Sequence, residues 1–136
     1  IQPLRYTDAS RLEADLRAGL IDVASSMTRN PARDAVLYFT PAYTRMQQAL
    51  LTRADAPIGA LAPDLGERSI AVVGGGSGQD HVDRLFPLAP RVVVGGVAEA
   101  IEAVAAGRAD ATLQPLPVLV DLIERRRLGG LQVARR

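Results

Sequence analysis

An α/β domain is what this sequence predicts, and three observations carry that prediction. From Ile70 onward, short apolar runs alternate with amphipathic stretches of about ten residues, the pattern of strands joined by crossover helices in a mostly parallel sheet. Glycines close these units where a helix must stop or a strand must turn, at Gly19, at residues 74–78 and at Gly107. And 136 residues, 48% of them hydrophobic, are enough to bury a core in one domain or two small lobes.

Taken in order, residues 7–18 predict a helix. Ser10 and Glu13 have capping-box spacing, Leu12, Leu16 and Leu20 recur on one face, and Gly19 stops it. Residues 21–24 are an apolar run long enough only for a strand. Asn30-Pro31 reads as an N-cap followed by proline at the first helical position, opening a short helix that carries Arg33. Around Pro41 the chain is extended, because proline restricts Thr40 away from the helical region. Residues 47–52 predict a strand and residues 53–64, with Pro57, Gly59 and Pro63, a loop. Strands then follow at 70–73, 91–94, 109–113 and 131–134, and helices at 79–86, 97–106 and 117–127.

Composition excludes several chemistries. Sixteen basic residues against fifteen acidic leave a net charge of +1, so no single-sign field invites nucleic acid or acidic lipid. Every basic residue is Arg; without Lys there is no Schiff base and no P-loop lysine. Without Cys there are no disulfides, thiolate-bound metals or thiol nucleophiles. A single His81 makes neither a histidine-rich metal site nor a legible Ser/His/Asp arrangement, and reads as a surface histidine. The arginines at 125–127 and at 135–136 read as solvated element ends, the first group complementing a helix dipole. No uninterrupted apolar run of about 18 residues is present, so no insertion into a membrane is expected of this segment. The start at Ile1 reads as the interior of a longer protein.

Two segments can carry chemistry. Gly74-Gly75-Gly76-Ser77-Gly78 lies between a strand and a helix, where backbone N–H groups can converge on an anion. It fails as a dinucleotide fingerprint, because the third glycine of either register falls on Gln79 or His81. A tight turn accounts for it as readily as an anion cradle does. The second segment is Ser25, Ser26 and Thr28 followed by Arg33. Hydroxyls at a strand's carboxyl end lie where open α/β sheets place ligands, and an arginine one turn into the next helix can present a planar fork to a carboxylate. The same residues also suit simple helix capping and a surface ion pair with a neighbour such as Asp34.

The order of these features resembles the family 3 extracellular solute-binding proteins. The likeness runs through Leu16-Arg17-Ala18-Gly19-Leu20-Ile21-Asp22-Val23-Ala24, then Met27-Thr28-Arg29-Asn30-Pro31-Ala32-Arg33 and Phe39-Thr40-Pro41-Ala42-Tyr43. It continues in Leu65-Gly66-Glu67-Arg68-Ser69-Ile70-Ala71-Val72-Val73 and in the helix–strand run from Ala98 to Ala111. Each piece is loose; together, in order over nearly the whole chain, they are specific. Within that family the chain looks most like the flytrap sensor domains of BvgS-type virulence sensor histidine kinases.

The resemblance implies a periplasmic-binding-protein type II fold, the bilobed Venus flytrap. Its lobes are three-layer α/β sandwiches with mostly parallel sheets, present here as a partial domain. Residues 1–45 correspond to the end of one lobe and 46–136 to the second, with the family's first strand expected before Ile1 and the return crossover after Arg136. Such a first segment should pack on another chain or be mobile. The family's ligand residues carry over to Arg33 as the carboxylate grip, to Ser25, Ser26 and Thr28 beside it, and to Gly75, Gly76, Ser77 and Gly78 as amide donors. The acidic residue that holds an amino acid's ammonium falls on Pro115, which implies a simple organic carboxylate or other small anion instead.

The function implied is ligand sensing by lobe closure in the periplasm, as input module of a sensor kinase. Neither catalysis nor a cofactor, metal or nucleic-acid partner is expected, and a homodimer is among the expected states. Alternatives are the soluble binding protein of an ABC transporter and the effector domain of a LysR-type regulator.

Overall fold

The computed structural model describes residues 2–6, 9–59 and 65–134. Its first helix, α1 (Ala9–Arg17), ends as its glycine demands: Gly19 adopts φ 70°, and the amides of Gly19 and Leu20 return to the carbonyls of Leu16 and Asp15. The expected capping box does not form. Ser10 already lies inside the helix, and the Glu13 side chain turns to Arg33 instead. Residues 7 and 8, where that helix was expected to begin, lie outside the described residues.

Residues 21–24 are not a strand. A strand needs a neighbour to take its amides and carbonyls; among the described residues none pairs with this run, and Val23 is 80% exposed. The short helix α2 (Pro31–Asp34) forms as its sequence predicts. Asn30 is the N-cap, its Oδ1 accepting from the Arg33 amide at 2.8 Å, and Pro31 opens the first turn. Residues 37–47 then run without helix or strand.

The remainder builds one sheet. Its strands are β1 (Gln48–Arg53), β2 (Ile70–Val73), β3 (Arg91–Val94), β4 (Ala111–Pro115) and β5 (Leu131–Val133), in spatial order β3-β2-β4-β1-β5. The helices between them are α3 (Ser77–Leu85), α4 (Val97–Ala105) and α5 (Leu116–Arg126). Helix α3 starts two residues before its expected beginning, so the end of the glycine run is its first turn. The sheet is mixed, with four of its five strands running one way and β1 against them. β2 runs parallel to β3 and β4, as crossovers through α3 and α4 require, but β1 runs antiparallel to both β4 and β5.

Side-chain alternation sorts the core into two faces. Ile70, Val72, Leu50 and Leu113 meet Val82 of α3 and Phe86 at its C-cap, while Ala49 and Leu51 meet Ile101 of α4 and Leu119 of α5. Helix, sheet and helices make three layers. Leu51, Ile70, Ile101 and Leu119 are fully buried, each stabilising the fold by about 1.5–3 kcal/mol relative to exposure. Asp110 secures the entry to β2 by accepting from both the amide and the hydroxyl of Ser69, at 2.8 and 3.0 Å.

Candidate ligand-binding cleft

Topology decides where a ligand can sit. Because β2 and β4 are parallel and β1 is antiparallel to β4, the carboxyl ends of β2 and β4 share one sheet edge with the start of β1. Open α/β sheets bind ligands just outside such an edge. Here that edge carries the glycine run and receives the chain from the segment holding α1 and α2. Gly75 sits at φ 68° in the left-handed region, and Gly76 is the extended N-cap of α3 with no side-chain cap. The Gly74 amide donates to the Val94 carbonyl and that of Gly76 to Val73, which folds the run into a tight turn. Gly75 N–H reaches the Gln79 Oε1 only at 3.4 Å. Ser77 and Gly78 are the first two residues of α3, whose N–H groups point along the positive end of the helix dipole.

Arg33 faces this run by way of α1. Its side chain is 7% exposed and does not pair with Asp34, which is held by Arg29 instead. Nε donates to Glu13 Oε2 at 2.9 Å and Nη1 to the Thr28 carbonyl at 2.9 Å. Glu13 lies one turn beyond Ser10 on the same face of α1. Ser10 in turn lies against Gly75 so closely that a Cβ on that glycine would overlap the serine hydroxyl. A second link crosses directly: Asn30, which caps the arginine's helix, donates through Nδ2 to Asp80 Oδ2 of α3 at 2.7 Å. The structure thus brings Arg33, α1, the glycine run and the first turn of α3 into one ring of contacts.

The hydroxyl segment is placed beside Arg33. Ser25, Ser26 and Thr28 are all exposed, the Ser25 carbonyl accepting from Tyr43 Oη and the Thr28 carbonyl from the arginine. Pro115 ends β4 opposite Gln48 and is the residue before α5, so no charge projects from that position. His81 lies on α3 with Nδ1 3.3 Å from Arg84 Nη2, consistent with a surface role. Sequence reading missed Glu13, Ser10 and Asp80 as parts of this ring of contacts. Helix α1 itself is braced by Asp15, which accepts from Arg11 Nε at 3.0 Å and Tyr6 Oη at 2.9 Å. Those two donors, Arg11 first, hold the Asp15 carboxyl below its ordinary value, and the same contact raises the Tyr6 phenol.

A profile of the bacterial extracellular solute-binding proteins, family 3, matches residues 3–88. The chain belongs to that family. Among curated proteins it is similar to the virulence sensor protein BvgS of Bordetella bronchiseptica, 33% identical over 123 residues, which cover 90% of this chain and 10% of BvgS. Among solved structures it resembles the periplasmic VFT2 domain of Bordetella pertussis BvgS. There the TM-score is 0.79 at 32% identity, covering 93% of this chain and 54% of that one. An ancestral arginine-binding protein bound to glutamine has the same fold, with a TM-score of 0.86 at 21% identity over 98% of this chain and 60% of that one. This family member thus spans about a tenth of the BvgS proteins, by the 10% coverage, and little over half of a solved flytrap. The fold class read from the sequence, a partial flytrap of periplasmic-binding-protein type II, is the one its neighbours have. Among the described residues, no helix is long and apolar enough to cross a membrane.

Proposed function

We propose that this chain is the ligand-gripping part of a periplasmic flytrap that serves as the input module of a sensor histidine kinase. Residues 1–45 belong to one lobe and 46–136 to the other. The guest is a small organic carboxylate, held between Arg33, the hydroxyls of Ser25, Ser26 and Thr28, and the amides of Gly75, Ser77 and Gly78; the Gly76 amide, expected to join them, is spent on the Val73 carbonyl. The observation that carries this reading is the 2.7 Å contact of Asn30 with Asp80, which sets the arginine's helix opposite the helix that follows the glycine run. The identity to BvgS, a virulence sensor, supports the sensor output, and the 80% and 95% exposure of Val23 and Tyr38 supports residues 1–45 as a piece of a larger lobe. The chain binds rather than transforms its guest. A ligand that prefers the closed arrangement shifts a two-state balance, and roughly 1.4 kcal/mol of preference moves an even balance to about ten to one.

Pro115 narrows the guest further, since nothing charged stands at the end of β4 to hold an ammonium. Titration calorimetry with succinate, nicotinate and L-glutamine, beside NAD and ATP, tests the reading. Succinate or nicotinate should bind, and Arg33→Lys, which keeps charge but loses the fork, should weaken them by about tenfold. Undiminished affinity in Arg33→Lys, or a preference for L-glutamine, overturns the proposed site. Response to the nucleotides alone points to an enzyme instead.

A further inference from the structure

The guanidinium assigned to the guest already holds a carboxylate. Arg33 is anchored from its own side, by the Thr28 carbonyl and by the Asn30 cap on its amide, and its side chain is 7% exposed. Glu13 reaches it from α1 of the same segment, is 26% exposed, and among the described residues holds it through one oxygen, Oε2 to Nε. A buried guanidinium needs a counter-charge whether or not a ligand is present. Glu13 provides one while keeping an open path back to water. A free carboxylate able to offer two parallel hydrogen bonds has the stronger grip on a guanidinium edge. The face of α1 that carries Glu13 also carries Ser10, which lies on Gly75, so displacement happens at the wall shared with the glycine run.

We propose that Glu13 is a resident carboxylate, occupying Arg33 in the empty protein and yielding it to an incoming acid, so that Glu13 sets the concentration at which the site admits carboxylates. This rests on the carboxylate reading above and adds a residue to it. Its consequence is selective: acids that bind through one oxygen fail to displace Glu13, whereas acids presenting a bidentate edge succeed.

The test follows the Arg33 Nε–H signal and the amide signals of Gly75 and Gly78 by 15N NMR while succinate is added. In Glu13→Gln, the Arg33 signal should respond at a concentration about tenfold or more below that needed in the unmodified chain. Glu13→Asp keeps the charge and withdraws it by one methylene; it should fall between the two, and it decides the matter alone should Glu13→Gln not fold. Equal midpoints in the variants and the unmodified chain overturn the resident role and leave the carboxylate site standing. Response of the glycine amides without Arg33 overturns it too. Silence at both places removes the carboxylate site, and the resident role with it.

Discussion

A guanidinium that folds into a nearly dry position must bring its counter-charge, and in this chain the partner comes from twenty residues upstream. Nothing local announces that pairing. Glu13 has a cap-like spacing from Ser10, and Arg33 has an acidic neighbour in Asp34, yet the chain uses neither. The Asn30 cap, by contrast, was legible because its donor and acceptor lie three residues apart and need no tertiary partner. Asp15 shows the same rule of local pairing, through Arg11 one turn earlier and Tyr6 beyond the helix start. Its folded pKa is depressed, so its contribution is present above the unfolded value of 3.8 and disappears as pH falls through the folded one. Arg11→Ala should therefore raise the Asp15 midpoint and bring on the acid loosening of α1 at a higher pH. Carboxyl 13C shifts followed from neutral pH to pH 2 would read this; an unmoved midpoint would contradict it.

At the scale of elements, legibility tracked whether an element could satisfy itself. Helices α4 and α5 and strands β2 and β3 lie within two residues of their expected bounds, because period and glycine stops specify them. The run at 21–24 has strand composition and no strand, since pairing is a property of two segments and its partner is not among the described residues. Likewise no apolar pattern reveals that β1 runs antiparallel, because alternation reports faces and not direction. The glycine run was legible as a turn, but its contact with α1 was not. That contact gives a sharp expectation for Gly75→Ala. Two costs combine: a left-handed backbone, about 1–2 kcal/mol for a residue with a Cβ, and the overlap with the Ser10 hydroxyl. Adding Ser10→Ala should remove the second cost alone, since the Ser10 Cβ itself stays at 3.4 Å. Urea melts of the four proteins should show a coupling of roughly 0.5–2 kcal/mol between the two sites. Strict additivity would mean that α1 does not press on the glycine run in solution.

For the molecule as a whole, the question is what holds its two segments face to face. Ser10 of the first segment lies on Gly75 of the second, and Asn30 reaches Asp80 of α3 by a polar bond, while the Glu13–Arg33 pair braces the first segment from within. Asn30→Asp keeps the cap, because an aspartate accepts from the Arg33 amide as well as an asparagine does. It also replaces the donor facing Asp80 with a second carboxylate. At an exposed position the like-charge pair costs about 1 kcal/mol, roughly a fivefold shift toward segments that have parted. Asp80→Asn in the same chain restores a donor on the opposite partner and should return the balance. Because the chain has no cysteine, Val23→Cys and Leu88→Cys provide unique spin-label sites, both strongly exposed and one on each segment. Pulsed electron resonance should show a longer-distance population growing in Asn30→Asp and shrinking in the swapped pair. If the swapped pair stays as open as the single variant, charge at this bond does not hold the segments together, and the hold must lie with the Ser10 contact on Gly75.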